Sequence, residues 1–285
     1  MVLVLLREFQ LKGVEDMSGR VPIMTLALIF VAAIISDPAN AQAVTDGLIS
    51  YWSFDKADIE DDMAMDLWGD QHAYMQGAPK IVEGKVGNAL EFDGASDWLL
   101  VSDDISTMKL PAREISLEAW VYPGHFIEWG GYLSCFQDNG SFEKGWTLGT
   151  YNQFSFAVSN ETPDDGDGTL TYLTAGAFDI ENWYHLVGVY DGEKMEIYVN
   201  GESKNTNTSH SGDISYPDHA FLTIGIYKDD NEHFPHKGRL DEVRLYEKAL
   251  SKDEVLQNYN AEGLGVAVAP AGNLSTKWGS MKNSQ

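Results

Sequence analysis

The sequence predicts an all-β protein of antiparallel strands, and three observations carry this prediction. From Leu48 onward, apolar and polar residues alternate with a period of two, the repeat of a strand that buries one face. Gly, Asp, Asn or Pro interrupts the alternation roughly every eight to twelve residues, as turns do in a sandwich or a barrel. A single good helix signal stands near the C-terminus, after the last predicted strand.

The predicted strands are short and evenly spaced, which is typical of such folds. In chain order they are Leu48–Phe54, Ala89–Phe92, Trp98–Val101, Ile115–Val121, Tyr132–Phe136, Trp146–Gly149, Gln153–Val158, Thr169–Leu173, Trp183–Tyr190, Lys194–Val199, Phe221–Gly225 and Arg239–Tyr246.

Two turns define the clearest hairpin in the sequence. Asp191-Gly192 and Asn200-Gly201 are both pairs that tolerate the positive φ of two-residue hairpin turns. Between them, Met195, Ile197 and Val199 alternate with Lys194, Glu196 and Tyr198. We expect the first set to face the core and the second to be solvated or functional.

The helix signal is a capping box, Ser251-Lys-Asp-Glu254, in which the serine and the glutamate satisfy each other's backbone amides. A short apolar face follows, and Gly263 marks its end. The remainder is rich in small and polar residues. We interpret 261–285 as a flexible tail that carries a short recognition peptide around Thr276–Gly279.

The N-terminal region 1–43 has the pattern of a cleavable signal segment. Arg20 precedes an apolar run, Val21–Ile35, and small residues then offer cleavage after Ala41 or Ala43. The run is shorter than the roughly 20 apolar residues of a membrane span. A start at Met17 would give a more conventional segment. We therefore expect a secreted, cell-surface or periplasmic domain, 44–260, with no stable membrane span after cleavage.

Charge narrows the range of partners. The chain has 19 basic and 44 acidic residues, a net charge of −25. A field of this sign repels nucleic acid and anionic lipid and attracts cations, so we expect no nucleic-acid partner. The single cysteine, Cys135, lies in an apolar stretch without an evident base, which predicts a buried small hydrophobic residue.

Four segments in order resemble the laminin-G-like jelly-roll domains of the concanavalin A-like lectin/glucanase superfamily. They are Gly47–Asp55 (GLISYWSFD), Gly87–Val101 (GNALEFDG and DWLLV), Ile115–Val121 with Trp183–Gly201 (ISLEAWV, WYHLVGVYDG and IYVNG), and Gly238–Ser251 (GRLDEVRLY and ALS). The resemblance covers Gly47 to about Tyr259. It implies a two-sheet antiparallel jelly-roll sandwich with one short C-terminal helix. Many relatives carry a cysteine pair, whereas this chain has Cys135 alone.

The resemblance implies a scaffold that hosts lectins, hydrolases, lyases and adhesion modules, so the activity has to be argued from the residues. Glucanases of this fold place acids on one strand as Glu-x-Asp-x-x-Glu, and no such pattern occurs. Glu114 and Glu118 lack a central aspartate, and Asp241 and Glu242 are neighbours whose side chains should point to opposite faces. Histidines such as His185 are scattered, which gives a lyase little support.

Calcium is the cofactor that the sequence favours, because acidic loops supply the oxygen ligands it requires. The resemblance implies one structural ion at the sandwich edge, with Asp93, Asp97 and Asp241 as ligands and Asp55 as a fourth. The same aspartates are also ordinary turn formers. A second acidic run, Asp164–Gly168, lacks the distal ligands of a calcium loop and is predicted to be a solvated loop.

Aromatic residues outside the resembling segments are the predicted ligand contacts, since aromatic rings stack on sugar rings. They are Trp129, Tyr132, Trp146, Tyr151 and Tyr227.

These observations predict an exported, non-catalytic recognition module, stabilised by calcium, that binds carbohydrate or an extracellular or surface protein. The alternatives are a divergent glycan hydrolase or lyase on the same scaffold, and a structural or adhesive domain that docks partners through its C-terminal tail.

Overall fold

A computed structural model describes residues 42–138, 143–160, 169–209, 211–261 and 263–264 of the chain. In this part of the chain the predicted fold is confirmed: two large antiparallel sheets pack as a sandwich, and one α-helix follows the last strand. The predicted signal segment up to Ala41, the Asp164–Gly168 run and most of the predicted tail lie outside the described residues.

The strands are numbered in chain order. They are β1 (Leu48–Trp52), β2 (Ile59–Glu60), β3 (Met63–Ala64), β4 (Ala73–Gln76), β5 (Lys80–Glu83), β6 (Asn88–Asp93), β7 (Trp98–Ser102), β8 (Ile115–Pro123), β9 (Trp129–Asp138), β10 (Glu143–Tyr151), β11 (Phe154–Asn160), β12 (Thr169–Thr174), β13 (Tyr184–Tyr190), β14 (Met195–Val199), β15 (Glu202–Asn207), β16 (Phe221–Ile224), β17 (Ile226–Lys228), β18 (His233–Pro235) and β19 (Lys237–Tyr246). Two 3-10 turns (Lys56–Asp58 and Ile105–Thr107) and α1 (Lys252–Tyr259) complete the described elements.

The eight-stranded sheet has the order β15-β14-β13-β8-β19-β6-β5, and β1 pairs beside the second half of β19. The nine-stranded sheet has the order β12-β11-β10-β9-β16-β7-β4-β3-β2. A small ribbon of β17 and β18 lies beside β9. Because neighbouring strands are often far apart in sequence, residues from distant segments meet on each sheet face.

The core lies between the two large sheets, where the longer apolar strands contribute alternate residues. Leu117 of β8 and Leu245 of β19 face Leu148 of β10 and Phe156 of β11. At the centre the sheets approach so closely that a Cβ on Gly188 would stand 2.3 Å from the Phe156 ring. Glycine is therefore required at this position for packing, although its backbone conformation is ordinary.

A second apolar cluster covers the outer face of the eight-stranded sheet, meaning the face turned away from the core. Val187, Tyr198 and Tyr246 of the sheet pack with Val255 of α1 and with Ala43. The prediction that the Tyr198 face of β14 is solvated or functional is therefore wrong. Tyr198 is 4% exposed and Glu196 is 9% exposed, because that face is covered.

The capping box of α1 is confirmed, with both reciprocal hydrogen bonds between Ser251 and Glu254. The helix ends at Tyr259, and the chain continues packed, with Ala261 and Leu264 buried. These two residues lie inside the predicted tail, so the folded part extends beyond 260. None of the helices in the described residues is long and apolar enough to span a membrane.

One of the two predicted hairpin turns is confirmed. Asn200 and Gly201 have φ values of 53° and 76° and form a two-residue loop between Val199 and Glu202. The turn at Asp191-Gly192 is longer than predicted, since Tyr190 pairs with Met195. The Asp191 carboxylate accepts hydrogen bonds from the next turn residues, Glu193 N (2.9 Å) and Lys194 N (2.7 Å), and so stabilises a four-residue loop.

Candidate functional site

The outer face of the nine-stranded sheet carries an aromatic platform. In β12, Leu173 packs in the core opposite Phe156, so its neighbour Tyr172 points outward opposite Ala157. Trp129 begins β9, and Tyr151 ends β10 as its direct partner in the ladder. Three strands of the sheet thus place one aromatic residue each on the same part of its outer face.

The three rings contact one another and are only half-buried. The Trp129 and Tyr151 centroids are 4.4 Å apart, those of Tyr151 and Tyr172 are 5.1 Å apart, and those of Trp129 and Tyr172 are 5.6 Å apart. Each ring therefore fixes the others, and their remaining surface is presented to solvent. Ordered, part-exposed aromatic rings are the surfaces on which apolar faces of a ligand pack.

Small side chains on the same face lie beside the platform. Ser134 of β9 and Thr147 of β10 are cross-strand partners, and their hydroxyl oxygens lie 2.6 Å apart in a shared hydrogen bond. Ser155 and Ala157 of β11 continue this floor, and all four residues are at most 3% exposed. The outer face beside the platform is therefore formed by small, well-covered side chains.

Several carboxylates lie near Tyr227 and Tyr172, beside the aromatic platform. Asp229 is buried and caps its own turn by accepting from Asn231 N (2.9 Å) and Glu232 N (2.7 Å). Burial raises the pKa of Tyr227, and the nearby charges of Tyr172, Asp229, Asp138 and Glu232 raise it further.

The charges of nearby carboxylates also raise the pKa of Tyr172 and of Glu232. Burial raises the pKa of Tyr172, as do the charges of Glu143 and Asp138. Burial and the charges of Asp229 and Asp138 likewise raise the pKa of Glu232. Asp138, Glu143 and Glu232, which we call the carboxylate border, thus lie on the Tyr172 side of the platform, since Asp138 and Glu143 pair at the opposite end of the β9–β10 ladder from Trp129 and Tyr151. These three carboxylates offer acceptors to hydroxyl groups and repel anions.

The five predicted aromatic contacts do not share one position. Trp129 and Tyr151 lie in the platform, and Tyr227 lies near its acidic side with its ring 5.4 Å from Phe136. Tyr132 and Trp146 are core residues, 1% and 0% exposed, so their prediction as surface contacts is wrong. A register shift in the β9–β10 ladder skips Tyr132 and turns it inward, and Trp146 shares the inner face with Leu148.

Tyr172 and the carboxylate border are functional candidates that the sequence did not identify. The strand containing Tyr172 was predicted correctly, and its period of two separates Tyr172 from the core residue Leu173. That alternation was a usable signal for an outward aromatic residue.

The four predicted calcium ligands fall into two pairs. Asp93 Oδ1 accepts from Asp97 N (3.0 Å), and Asp97 Oδ2 accepts from Asp93 N (3.2 Å). Asp55 Oδ1 instead accepts from Asn88 N (2.7 Å), at the opposite end of β6. The two ends are separated by about 16 Å, whereas calcium ligands lie about 2.3–2.6 Å from the ion. One ion therefore cannot contact all four aspartates, and within the described residues no group of three or more metal-ligating side chains converges.

Asp241 belongs to the Asp55 end. Its Oδ2 accepts from Lys85 N (2.8 Å) and Val86 N (2.9 Å), while the buried Oδ1 has no hydrogen-bond partner among the described residues. Burial raises the pKa of Asp241 to about 8, and the charges of Glu242 and Asp55 contribute to this rise. An orphaned carboxylate oxygen beside a second aspartate fits part of a cation site.

The prediction that Asp241 and Glu242 point to opposite faces of the sheet is wrong. The ladder between β19 and β8 shifts register between Asp241 and Arg244, and Glu242 adopts a φ of 52°. This bulge turns both carboxylates to the outer face of the eight-stranded sheet, where Glu242 accepts from Tyr51 Oη (2.7 Å) and pairs with Arg244.

Glu118 and His185, two residues weighed for catalysis, are fully buried on that same face. His185 Nε2 lies 3.1 Å from Glu118 Oε1, and Arg244 contacts the same oxygen. Burial raises the pKa of Glu118, but the Arg244 charge and the His185 hydrogen bond outweigh it and hold the pKa at about 2. The group is a structural ion-pair network beneath α1. Cys135 is likewise buried and free, and burial raises its thiol pKa, as expected of a core residue.

Comparison with known proteins places this geometry in context. A laminin G model described as the concanavalin A-like lectin/glucanases superfamily matches residues 93–256. Pappalysin-1 from Mus musculus is 20% identical over 211 residues, and pappalysin-1 from Homo sapiens is 21% identical over 210 residues. Each match covers 69% of this chain but only 12% of pappalysin-1, so the chain spans a small part of those relatives.

Solved structures share the fold at low identity. Domain 4 of AbnA, a GH43 extracellular arabinanase from Geobacillus stearothermophilus in complex with arabinotriose, has a TM-score of 0.52 and 20% identity. That match covers 74% of this chain and 98% of the domain. A Trypanosoma rangeli sialidase in complex with 2,3-difluorosialic acid matches with a TM-score of 0.52 and 16% identity, covering 76% of this chain and 33% of the sialidase chain.

Proposed function

Because the chain belongs to the concanavalin A-like lectin/glucanase superfamily, whose model matches residues 93–256, we propose that it is a non-catalytic recognition module that binds a glycan. The binding surface is the outer face of the nine-stranded sheet. The observation that carries this proposal is the contacting set of part-exposed rings Trp129, Tyr151 and Tyr172. Domain 4 of AbnA, which is similar in fold, was solved with arabinotriose.

The border of the platform selects the kind of glycan. Asp138, Glu143 and Glu232 place negative charge on the Tyr172 side of the platform, and buried Asp229 adds to the negative charge at Tyr227. Carboxylates accept hydrogen bonds from sugar hydroxyls but repel uronates and sialic acids. The proposed ligand is therefore a neutral glycan. The alternative partner is an extracellular or surface protein, which becomes the candidate if no glycan is retained.

Export and calcium complete the proposal. The signal pattern in 1–43 would deliver the domain outside the cytoplasm, where glycans and millimolar calcium are available. The geometry supports an ion at the Asp55–Asp241 end of β6, since Asp241 Oδ1 is buried there without a partner. Bound calcium would neutralise the carboxylates and hold the β5–β6 turn against β19.

The test combines a glycan array with calorimetry on the mature chain in calcium-containing buffer. Trp129→Ala and Tyr172→Ala should each cost about 1–2 kcal/mol, or roughly 5- to 30-fold in Kd for the retained glycan. Tyr74→Ala is the matched control, because Tyr74 is 48% exposed on β4, away from the platform. The proposal fails if no neutral glycan is retained, or if the Tyr74 variant weakens binding as much as the other two.

The hydrolase alternative has one specific support, the raised pKa of Glu232 beside Asp229 and Asp138. A carboxyl group whose pKa is raised above its ordinary value is better suited to act as a general acid. Release of reducing ends from the retained glycan, abolished in Glu232→Gln, would replace the binding proposal with this one.

A further inference from the structure

Gln137 is a buried amide at the end of a core-facing row of β9. Leu133 and Cys135 precede it on the inner face of the strand, and its neighbour Asp138 lies on the outer face. The Gln137 residue is 3% exposed. It therefore points between the sheets and not toward the aromatic platform.

Neither end of this side chain is satisfied by the part of the chain that the structure describes. The Gln137 Nε2 and Oε1 atoms are both buried and have no hydrogen-bond partner. A glutamine amide offers two donors and one acceptor, and burying them unpaired costs stability. A leucine of similar length would fill the same place without that cost, so the amide needs an explanation other than packing.

A cavity of about 210 Å³ opens beside the amide. Buried Pro217 and half-buried Tyr216 line its inner part with Gln137. The Tyr216 hydroxyl is already engaged, accepting from Trp146 Nε1 (2.9 Å) and donating to Pro111 O (2.8 Å). Tyr216 therefore contributes its ring, and Gln137 contributes the unsatisfied polar atoms.

The mouth of the cavity is polar and exposed. Asp218, His219 and Asp230 line it, with Lys144 on the β10 side as the ladder partner of Gln137. His219 Nε2 lies 3.4 Å from Asp230 Oδ1, so part of this charge is paired. Both donors and acceptors thus line one small space, with an aromatic ring on its wall.

We propose that this cavity binds a neutral polyhydroxy molecule the size of a single monosaccharide, with Gln137 as the residue that both donates to and accepts from its hydroxyl groups. The volume equals that of roughly seven water molecules and lies below the roughly 300–1,000 Å³ of pockets for larger ligands. Sugar hydroxyls are donors and acceptors at once, which matches an amide with both functions open. The cavity is separate from the platform and does not depend on glycan binding there.

The experiment uses the ¹⁵N-labelled mature chain and five probes: D-glucose, D-galactose, D-mannose, L-arabinose and N-acetyl-D-glucosamine. The Gln137 side-chain NH₂ pair is assigned as the pair absent from the Q137L spectrum. We expect that pair to shift saturably with at least one sugar at millimolar concentration. The Q137L variant should bind that sugar at least about tenfold more weakly, while its thermal midpoint is equal or higher.

A platform variant and a mouth variant keep the outcome decisive. Trp129→Ala should leave the Gln137 shifts unchanged, and Asp218→Ala, at an exposed position, should weaken them even if Q137L folds poorly. The proposal is overturned if none of the five sugars shifts the Gln137 pair, which would mean that ordered water alone satisfies the amide. It is equally overturned if Q137L binds the sugar as tightly as the natural chain.

Discussion

Asn258 on α1 donates from Nδ2 to Glu118 Oε2 at 2.6 Å, and both residues are fully buried. The same side chain accepts from Val44 N at 2.7 Å and donates to Tyr246 Oη at 3.0 Å. One amide therefore links the helix, the segment before β1 and two neighbouring strands of the eight-stranded sheet. It also completes the hydrogen bonding of a buried carboxylate that Arg244 and His185 already contact.

Replacing Asn258 with alanine should destabilise the fold by about 2–4 kcal/mol, because it leaves a buried backbone amide and part of a buried charge unsatisfied. Urea unfolding followed by tryptophan fluorescence measures the change. Lys252→Ala, at an exposed position of the same helix, should stay within about 0.5 kcal/mol of the natural chain. Equal effects of the two substitutions would contradict a special role for Asn258.

Gly188→Ala tests the close approach of the two sheets. The added methyl would overlap the Phe156 ring, and overpacking of this kind costs about 1–3 kcal/mol. Combining it with Phe156→Leu should recover part of that loss, since the two residues are in direct contact. Additive losses in the double variant, measured by thermal and urea unfolding, would show that the sheets adjust elsewhere.

Most strands of the sandwich could be predicted from the sequence, because strands that bury one face keep a strict period of two. The sequence was insufficient where that pattern is missing. Strand β15 (Glu202–Asn207) has largely exposed side chains and no apolar alternation, so its place at the sheet edge depends on pairing with β14. Strands β4 and β5 are four residues each and were missed for a similar reason.

The candidate site was less predictable than the fold, since it depends on register. Tyr172, Trp129 and Tyr151 come together only when β9 to β12 pair as they do. The shift at Tyr132 and the bulge at Glu242 each reverse the direction that strict alternation assigns to a side chain. Bulges of this kind leave little trace in one sequence, so the inward Tyr132 and the outward Glu242 could not be foreseen.

His236 should make stability depend on pH. It is fully enclosed between Tyr132 and Phe92, and burial lowers its pKa to about 3 from about 6.5 in the unfolded chain. The unfolded state therefore binds more protons between these values. The stability contributed by neutral His236 is complete above about pH 6.5 and is lost progressively as pH falls toward 3.

The measurement is the free energy of unfolding in urea at several pH values across this window. His236→Leu should flatten the profile by up to roughly 1.4 kcal/mol per pH unit while leaving stability near pH 7 little changed. His233→Leu, at an exposed position of β18, serves as the comparison variant, and its profile is measured in the same way. A variant of His236 with an unaltered pH profile would exclude this histidine as the cause.

The proposed export predicts that cleavage of the signal segment leaves Gln42 as the first residue. Gln42 O accepts from Gln257 Nε2 at 2.8 Å, and Ala43 is 4% exposed, packed in the cluster under α1. Cleavage after Ala41 preserves these contacts, whereas cleavage after Ala43 removes them. N-terminal sequencing of the exported protein checks this, and a chain beginning at Val44 would show that the contacts are dispensable.

Calcium should stabilise the domain through Asp241 and not through Asp93. If calcium at about 100 times its Kd stabilises the fold by about 2.7 kcal/mol, chelation with EDTA should lower the thermal midpoint by roughly 5–10 °C. Asp241→Asn should abolish that difference, because it replaces the carboxylate whose Oδ1 has no hydrogen-bond partner with an uncharged amide. Asp93→Asn should keep it, since Asp93 lies at the far end of β6 and its oxygens already cap a turn. If complete chelation leaves the thermal midpoint of the natural chain unchanged, calcium is removed from the proposal. If the effect of EDTA is lost in Asp93→Asn but kept in Asp241→Asn, the ion lies at the Asp93 end of β6.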